Sequence, residues 1–248
     1  MRTDRTPNQP RRVEFQTGFT TNPAGSVLVR FGRTMVLCTA CVEDGVPRFR
    51  RDKGGWLTAE YQMAPGSTHS RMRREASAGK MKGRTHEIQR LIGRSVRAAI
   101  DIDSMEEVTI NLDCEVLQAD GGTRTASITG AFVALALAID SKIQSGTMSS
   151  SPLIGTVAAI SCGVVGGEVL VDLDYPEDSN AEVDANLVMN GQGEIVEVQA
   201  TGEQGTLSRA ELNLMLDAGG DCIAELTRLQ LEALGPVAQR LNLAQFVK

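Results

Sequence analysis

The chain has 248 residues, of which 42% are hydrophobic and 23% charged, and its formal net charge is −6. This composition is ordinary for a folded globular protein and excludes an intrinsically disordered chain. No run approaches the roughly 18 apolar residues of a membrane span, and the polar N-terminus lacks the apolar stretch of a secretory signal, so we expect a cytoplasmic protein with no membrane partner.

Positive and negative residues are segregated along the chain. Residues 1–100 hold 19 Lys and Arg against 8 Asp and Glu, a net charge of +11, whereas residues 101–248 hold 6 against 23, a net charge of −17. This asymmetry predicts one face that binds polyanions and another that carries carboxylates or contacts neighbouring copies. A fold that mixes the charges in space is the alternative interpretation.

Five cysteines are scattered along the chain and, being an odd number, do not resemble a disulfide framework. Cys38 and Cys41 form a C-x-x-C pattern, but they lie in a strand-like run, where residues three apart point to opposite faces. We therefore interpret the cysteines as reduced thiols without a metal or redox role.

The first half of the chain predicts a hairpin, a helix, a strand and a second helix. Two short strands over 26–38 are joined by a tight turn, and residues 43–83, rich in Gly, Arg and Pro, are predicted as loops. Helical spacing of apolar residues predicts an amphipathic helix over 85–100. Strict alternation predicts a strand over 108–116. The Ala-rich run 125–143 predicts a buried helix, too short and too interrupted for a membrane span.

The second half again places strands before helices. A capping box at Ser208 and Glu211 opens one predicted helix, and another is predicted from about 221 to 234. The order of elements predicts an α+β or α/β sandwich with pseudo-duplicated halves. The strands are predicted over 157–165, 168–173 and 194–199.

The sharpest local feature is the Gly-rich turn Asp120-Gly-Gly-Thr-Arg124, between the alternating strand and the buried helix. A turn of this kind directs free N–H groups and the positive end of the helix dipole at one point, which favours an anion such as phosphate. Arg124 adds a bidentate donor and Thr123 a hydroxyl. The chain has no G-x-x-x-x-G-K-[ST] motif, so ATP is not implied. An ordinary tight turn is the alternative interpretation.

A basic segment over 71–97 contains nine Lys and Arg against two acids. A groove lined in this way would bind a phosphate backbone without reading its sequence, and the scarcity of aromatic residues argues against base stacking as the main contact. A solvated helix face or a subunit contact would also explain the pattern. The basic residues are Arg71, Arg73, Arg74, Lys80, Lys82, Arg84, Arg90, Arg94 and Arg97.

Carboxylates cluster between Asp172 and Asn186, at the end of a predicted strand and in the loop beyond it. Because carboxylates near phosphate repel it unless a divalent ion or a proton intervenes, the cluster suggests Mg²⁺ binding or general-acid chemistry. A solvated acidic loop is the alternative. His69 and His86 are the only histidines and cannot form a zinc cluster, and no Rossmann, G-x-S-x-G or kinase motif occurs.

Taken together, these stretches resemble the ribonuclease PH family over nearly the whole chain. The resemblance implies an α+β ribonuclease PH fold, related to domain 2 of ribosomal protein S5, as a single domain over 1–248. It also implies assembly as a homohexamer, a trimer of dimers. The matching blocks include Gly25-Ser-Val-Leu-Val, Gly55-Trp-Leu-Thr-Ala-Glu-Tyr61, Gly83-Arg-Thr-His-Glu-Ile-Gln-Arg-Leu-Ile-Gly-Arg94, Asp113 to Ala131 and Tyr175 to Asn186.

The activity that the resemblance implies is phosphorolytic 3′→5′ exoribonuclease, or tRNA nucleotidyltransferase. Such an enzyme trims nucleotides beyond the CCA end of tRNA precursors, uses inorganic phosphate as co-substrate and releases nucleoside diphosphates. Other RNA 3′ ends, including those of rRNA, are further expected substrates. The rivals are polynucleotide phosphorylase, which carries two such cores plus KH and S1 modules, a catalytically silent RNA-binding ring subunit, and a scaffold in ribosome assembly.

The resemblance also places functional residues on the local features described above. Asp178 and Asp184 would hold Mg²⁺ and, together with Arg124, would form the catalytic group, with Asp184 protonating the departing 3′ oxygen. Gly66 stands where relatives commonly carry a basic residue, which weakens the predicted grip on tRNA. The phosphate site falls on Arg84, Gly122, Thr123 and Arg124, and the RNA-binding arginines fall on Arg71, Arg73 and Arg74.

Overall fold

The structure is a computed structural model that describes residues 2, 4–75, 77, 79 and 81–248. Within these residues, nine strands form two sheets, and five α-helices and two short 3-10 helices complete the fold. The strands are β1 (Val13–Thr17), β2 (Gly25–Phe31), β3 (Thr34–Asp44), β4 (Trp56–Met63), β5 (Val108–Gln118), β6 (Val157–Val165), β7 (Glu168–Val171), β8 (Val183–Asn190) and β9 (Ile195–Gly202). The helices are α1 (Gly83–Arg97), α2 (Thr123–Gln144), α3 (Tyr175–Asp178), α4 (Arg209–Leu234) and α5 (Pro236–Arg240).

The first sheet has the strand order β1-β2-β3-β5-β4, in which only β4 and β5 run parallel. The predicted hairpin and the alternating strand are confirmed as β2, β3 and β5. The prediction of loops over 43–83 is wrong, because β4 lies inside that segment. Its buried residues Leu57, Ala59 and Tyr61 alternate with more exposed ones. The alternating pattern is short and lies between glycines and charged residues, so the segment is predicted as a loop.

The second sheet is antiparallel, with the order β7-β6-β8-β9. Three of its strands agree with the prediction, whereas β8 occupies what the sequence predicts as part of an acidic loop. Residues 185–189 of β8 are all buried, so both faces of the strand are covered and the sequence shows no period-two alternation. Because both faces are buried, the strand lacks the alternating pattern by which a strand is predicted from sequence.

Helix α2 lies between the two sheets and packs against β2, β3 and β6. A Cβ atom on Gly25 would lie 1.9 Å from the carbonyl oxygen of Ala134, so glycine lets β2 approach this helix closely. The helix is 22 residues long and apolar enough to pass a length and composition test for a membrane span, contrary to the prediction that it is too short. Because 78% of its most apolar window is buried inside the protein, its place in the core explains that composition.

Helix α4 packs on β6 and β7 of the second sheet and on β1 of the first sheet. The capping box at Ser208 and Glu211 is confirmed. The prediction of two separate helices is wrong, because Arg209–Leu234 is continuous through Gly219 and Gly220. A Cβ atom on Gly219 would lie 2.4 Å from Leu187 Cδ1, so this glycine serves close packing and does not end the helix.

A large hydrophobic core runs through both sheets and the helices, with a second, small cluster of Leu170, Leu173 and Ala181 beside it. The elements confirm the α+β architecture. The cysteines are free, and four of the five are buried, as expected of structural thiols. The arrangement brings the start of α2, the start of α1 and the end of β4 to the same side of the protein as α3 and β8.

Candidate active site

A cleft of about 940 Å³ lies between elements of the two sheets. Seven of the predicted site residues line this cleft: Arg73, Arg84, Gly122, Thr123, Arg124, Asp178 and Asp184. A smaller pocket of about 440 Å³, beside the N-terminal end of α4, contains none of them.

The Gly-rich turn forms one wall of the cleft and opens helix α2. Gly121 and Gly122 have φ values of +76° and +64°, a region that favours glycine. A Cβ atom on Gly121 would lie 2.3 Å from the carbonyl oxygen of Leu173, so a side chain cannot fit there. No side chain caps the helix at Gly122, and its first N–H groups have no partner within the helix. The predicted anion site is therefore present as geometry.

Tyr61 supports this turn from β4. Its hydroxyl lies 2.9 Å from Thr123 Oγ1, and the side chain is almost fully buried. Burial raises the pKa of Tyr61, so the phenol stays protonated and can share its proton with the threonine. Sequence patterns give no sign of this role, because the segment that carries Tyr61 is predicted as a loop.

The two predicted phosphate-binding arginines lie at the starts of two helices. Arg84 is in the first turn of α1, which also has no side-chain cap, and Arg124 is in the first turn of α2. Arg124 Nη1 lies 3.8 Å from Glu87 Oε2 and donates a 3.5 Å hydrogen bond to Gln199 Oε1. These contacts are long, so the guanidinium keeps its donors for a ligand. Two helix dipoles and two cations thus favour an anion here.

Asp178 and Asp184 reach the cleft from different elements. Asp178 is the last residue of α3, which begins with a capping box formed by Asp174 and Glu177. Asp184 lies on β8 and not in a loop, contrary to the prediction. Burial and the neighbouring charge of Asp184 raise the pKa of Asp178, while Arg84 and Arg124 oppose that rise. The four predicted charged groups therefore act on one another in a single site.

The acidic cluster predicted over 172–186 divides into two parts. Only Asp178 and Asp184 among its carboxylates line the cleft. Asp172 is fully buried behind the Gly-rich turn and forms an ion pair with Arg11. The prediction that these acids act together is wrong for Asp172, because the chain turns inward after β7.

The predicted RNA-binding arginines are divided in a similar way. Arg73 lines the cleft, whereas Arg71 and Arg74 do not. Lys80, part of the same basic segment, lies outside the described residues. Two residues with no predicted role, His69 and Tyr175, also line the cleft, with ring centroids 6.3 Å apart.

Two family models match the chain. "3' exoribonuclease family, domain 1" matches residues 9–139, and "3' exoribonuclease family, domain 2" matches residues 155–222. The fold and the cleft therefore define a protein of the 3′ exoribonuclease class.

The chain is similar to curated proteins named ribonuclease PH. It is 60% identical over 232 residues to that of Corynebacterium glutamicum (strain R), which covers 93% of this chain and 95% of the relative. It is 54% identical over 233 residues to that of Caulobacter vibrioides (strain NA1000 / CB15N), covering 94% and 98%. The chain belongs to the ribonuclease PH family, which confirms the resemblance seen in its sequence.

Solved structures share the fold at low sequence identity. Rice (Oryza sativa) Rrp46 superposes with a TM-score of 0.76 at 18% identity, covering 93% of this chain and 98% of that one. An Archaeoglobus fulgidus exosome chain, from a structure with RNA bound to the active site, gives a TM-score of 0.76 at 20% identity, covering 90% of each chain. These likenesses confirm the ribonuclease PH fold.

Proposed function

We propose that the cleft carries out phosphorolysis of RNA 3′ ends, and that the enzyme trims nucleotides beyond the CCA end of tRNA precursors. The observation that carries this proposal is the meeting of an uncapped helix N-terminus, two arginines and two carboxylates in one cleft. The first two groups suit an anionic nucleophile such as inorganic phosphate, and the carboxylates suit proton transfer or metal binding.

Inorganic phosphate is held by Arg84, Thr123, Arg124 and the N–H groups near Gly122. One phosphate oxygen attacks the phosphorus of the terminal phosphodiester in line, the bond from phosphorus to the 3′ oxygen breaks, and a nucleoside diphosphate leaves. The arginines stabilise charge on the phosphoryl oxygens, and Asp184 supplies the proton for the departing 3′ oxygen. The reaction exchanges a phosphodiester bond for the phosphoanhydride bond of a nucleoside diphosphate and lies near equilibrium, so the reverse reaction adds nucleotides from nucleoside diphosphates.

The two carboxylates also fit a divalent cation such as Mg²⁺. Asp184 Oδ1 is buried and has no hydrogen-bond partner among the described residues. Mg²⁺ in proteins is usually bound by one or two carboxylates together with water and phosphate oxygens, so a pair of aspartates would be enough. Bound at Asp178 and Asp184, the ion would neutralise charge on the phosphoryl oxygens.

RNA reaches the phosphate site past Arg73, and Arg71 and Arg74 extend the same basic segment for contacts to the RNA backbone. Other RNA 3′ ends, including those of rRNA, would bind in the same sequence-independent way. The large core shared by both sheets supports a single domain over 1–248. The working form is a homohexamer, a trimer of dimers, and the free cysteines match the reducing cytoplasm.

The test incubates the purified protein with a tRNA that carries extra nucleotides beyond CCA, with Mg²⁺, in the presence and absence of inorganic phosphate. We expect nucleoside diphosphates only when phosphate is present. Arg124→Ala should reduce the rate about a hundredfold or more, as expected for loss of a residue that stabilises transition-state charge. Arg228→Ala is the matched control, because this exposed arginine of α4 forms ion pairs with Glu225 and Glu232 of its own helix and is not among the residues that line the cleft.

Other products would support the rivals. Nucleoside monophosphates released without phosphate would identify a hydrolytic nuclease and contradict the proposal. Tight RNA binding with no release would favour the silent ring subunit. Full cellular function of Arg124→Ala would favour a scaffold in ribosome assembly.

A further inference from the structure

Three arginines of the N-terminal arm, which we define as Arg2 and residues 4–12, turn inward behind the active site. Arg2 Nε lies 2.7 Å from Glu177 Oε1, Arg5 Nη2 lies 3.1 Å from Glu177 Oε2, and Arg11 Nη2 lies 2.7 Å from Asp172 Oδ1. Their side chains are 4, 5 and 8% exposed. These charges contributed to the basic excess of the first hundred residues, yet they are not part of a basic surface.

Arg11 connects Asp172 to the Gly-rich turn. Its Nε and its backbone N–H both donate to Asp172 Oδ2, at 2.9 and 2.7 Å. Its Nη1 donates to the carbonyl oxygen of Asp120, and Nη2 lies 3.4 Å from that of Gly121. One guanidinium therefore bridges a buried carboxylate and two consecutive peptide groups.

The contacts of Arg11 set the direction of two N–H groups. In a planar trans peptide the carbonyl of one residue and the N–H of the next point in opposite directions. Because Arg11 holds the carbonyl oxygens of Asp120 and Gly121, the N–H groups of Gly121 and Gly122 point away from it. Both glycines line the cleft, so this is the direction of the predicted phosphate. Thr34 Oγ1 also donates to Gly121 O, at 2.7 Å.

The other two arginines hold the element that presents Asp178. Glu177, which precedes it, accepts from Arg2 and Arg5 and also from the N–H of Asp174, at 3.1 Å. Both arginines lie within ion-pair distance of the Glu177 carboxylate, and their side chains are almost fully buried, so the pair holds Glu177 in place. A four-residue helix has little stability of its own, so these contacts fix its position.

We propose that the N-terminal arm positions the active site, with Arg11 orienting the phosphate-binding turn and Arg2 and Arg5 fixing the helix that carries Asp178. The arm touches neither phosphate nor RNA and acts through the groups it holds. This inference rests on the proposed function, since it assigns the turn to phosphate. A purely structural clamp would have the same contacts but would affect only stability.

The experiment compares Arg11→Lys with Arg12→Lys in steady-state phosphorolysis of RNA. Lysine keeps the charge but cannot bridge a carboxylate and two carbonyls, because it lacks the planar fork of arginine. Arg12 is the matched control, since its side chain is 83% exposed and forms an ion pair with Glu14 on the surface. We expect Arg11→Lys to raise the KM for phosphate about tenfold, with the KM for RNA within about twofold of wild type, because only the turn is disturbed. Arg12→Lys should change neither constant.

A second variant addresses the turn without the buried charge. Arg11→Gln alone would leave the buried Asp172 carboxylate with only the backbone N–H of residue 11 and Arg5, 3.6 Å away, as partners, which is costly for a buried charge. The double variant Arg11→Gln/Asp172→Asn removes both charges, and asparagine tolerates the φ of +57° at position 172. We expect the same rise in the KM for phosphate. If the KM for phosphate is unchanged in either folded variant, the arm is only a structural clamp and the inference fails, even where the melting temperature falls.

Phosphate binding without RNA separates this inference from the proposed function. Inorganic phosphate should raise the melting temperature of the wild-type protein, and Arg11→Lys should need about tenfold more phosphate for the same rise. If the wild-type protein releases no nucleoside diphosphates, but the two proteins still differ in the phosphate they need, the proposed reaction is wrong and the positioning role of the arm still stands. If phosphate raises the melting temperatures of wild type and Arg11→Lys equally, the positioning role of the arm is wrong, and the proposed reaction is unaffected.

Discussion

Replacing Gly121 with alanine tests the geometry of the phosphate-binding turn. A residue other than glycine at the observed φ of +76° costs about 1–2 kcal/mol of conformational energy. The added Cβ would also lie 2.3 Å from Leu173 O and 2.7 Å from the carbonyl carbon of Asp174. These are backbone atoms that cannot move aside as a flexible side chain can, and overpacking of this kind costs about 1–3 kcal/mol. Gly121→Ala should therefore lower the free energy of unfolding by about 2–5 kcal/mol.

Alanine substitutions at two other glycines separate the conformational cost of a positive φ from the cost of overpacking. Gly166 has a φ of +61°, but a Cβ atom added there would have no neighbour within 4 Å, so Gly166→Ala should show the conformational cost alone, about 1–2 kcal/mol. Gly122 has a φ of +64°, and its Cβ would lie 3.3 Å from Arg11 Nη2 and from Thr125 Oγ1, which are ends of side chains. Gly122→Ala should fall between the other two variants.

Urea unfolding of the three variants and the wild type measures these differences, and the KM for phosphate is measured for each variant that folds. We expect the KM for phosphate to rise for Gly121→Ala and Gly122→Ala but not for Gly166→Ala, whose turn is not part of the cleft lining. A Gly121→Ala protein that lost no more stability than Gly166→Ala would refute the prediction, since the contact with the Leu173 backbone would then be absent in solution.

Two further predictions concern the walls of the cleft. Tyr61→Phe removes the hydroxyl that contacts Thr123, and we expect a loss of about 0.5–1.5 kcal/mol in urea unfolding and a severalfold rise in the KM for phosphate; an unchanged KM would show that Thr123 does not depend on Tyr61. The pKa of Asp178 is raised in the folded protein, so this residue contributes stability at low pH that is lost as the pH rises through the folded pKa. Asparagine stays neutral, as the protonated acid is, so Asp178→Asn should raise the melting temperature at pH 7 in EDTA. Glu177→Gln is the matched control of opposite sign: its lowered pKa gives stability that is present at pH 7 and lost as the pH falls through the folded value, so this variant should melt lower. An Asp178→Asn protein that melts at or below the wild-type temperature would contradict the expected effect of the raised pKa.

The local parts of the site could be predicted from the sequence. A glycine pair between an alternating strand and an apolar helix identifies a helix N-terminus, and β5 and α2 were found on this basis. Arg124 is predicted from the turn itself, whereas the family resemblance singles out Arg84, Asp178 and Asp184, and the structure brings all four to the cleft. Patterns within a few residues were sufficient because the anion site is built from one turn and the first residues of two helices.

Only the tertiary structure decided which charges face the cleft. Asp172 and Asp178 lie six positions apart on the same acidic stretch, yet one is buried behind the turn and the other lines the cleft. Arg11 contacts Asp172, which lies 161 positions further along the chain, and β4 pairs in parallel with β5. Sequence periodicity reports burial of one face over a short window, whereas these contacts depend on long-range packing. A buried charge is stable only where folding brings it an opposite charge, so the chain alone could not show which arginines bind substrate and which hold the protein together.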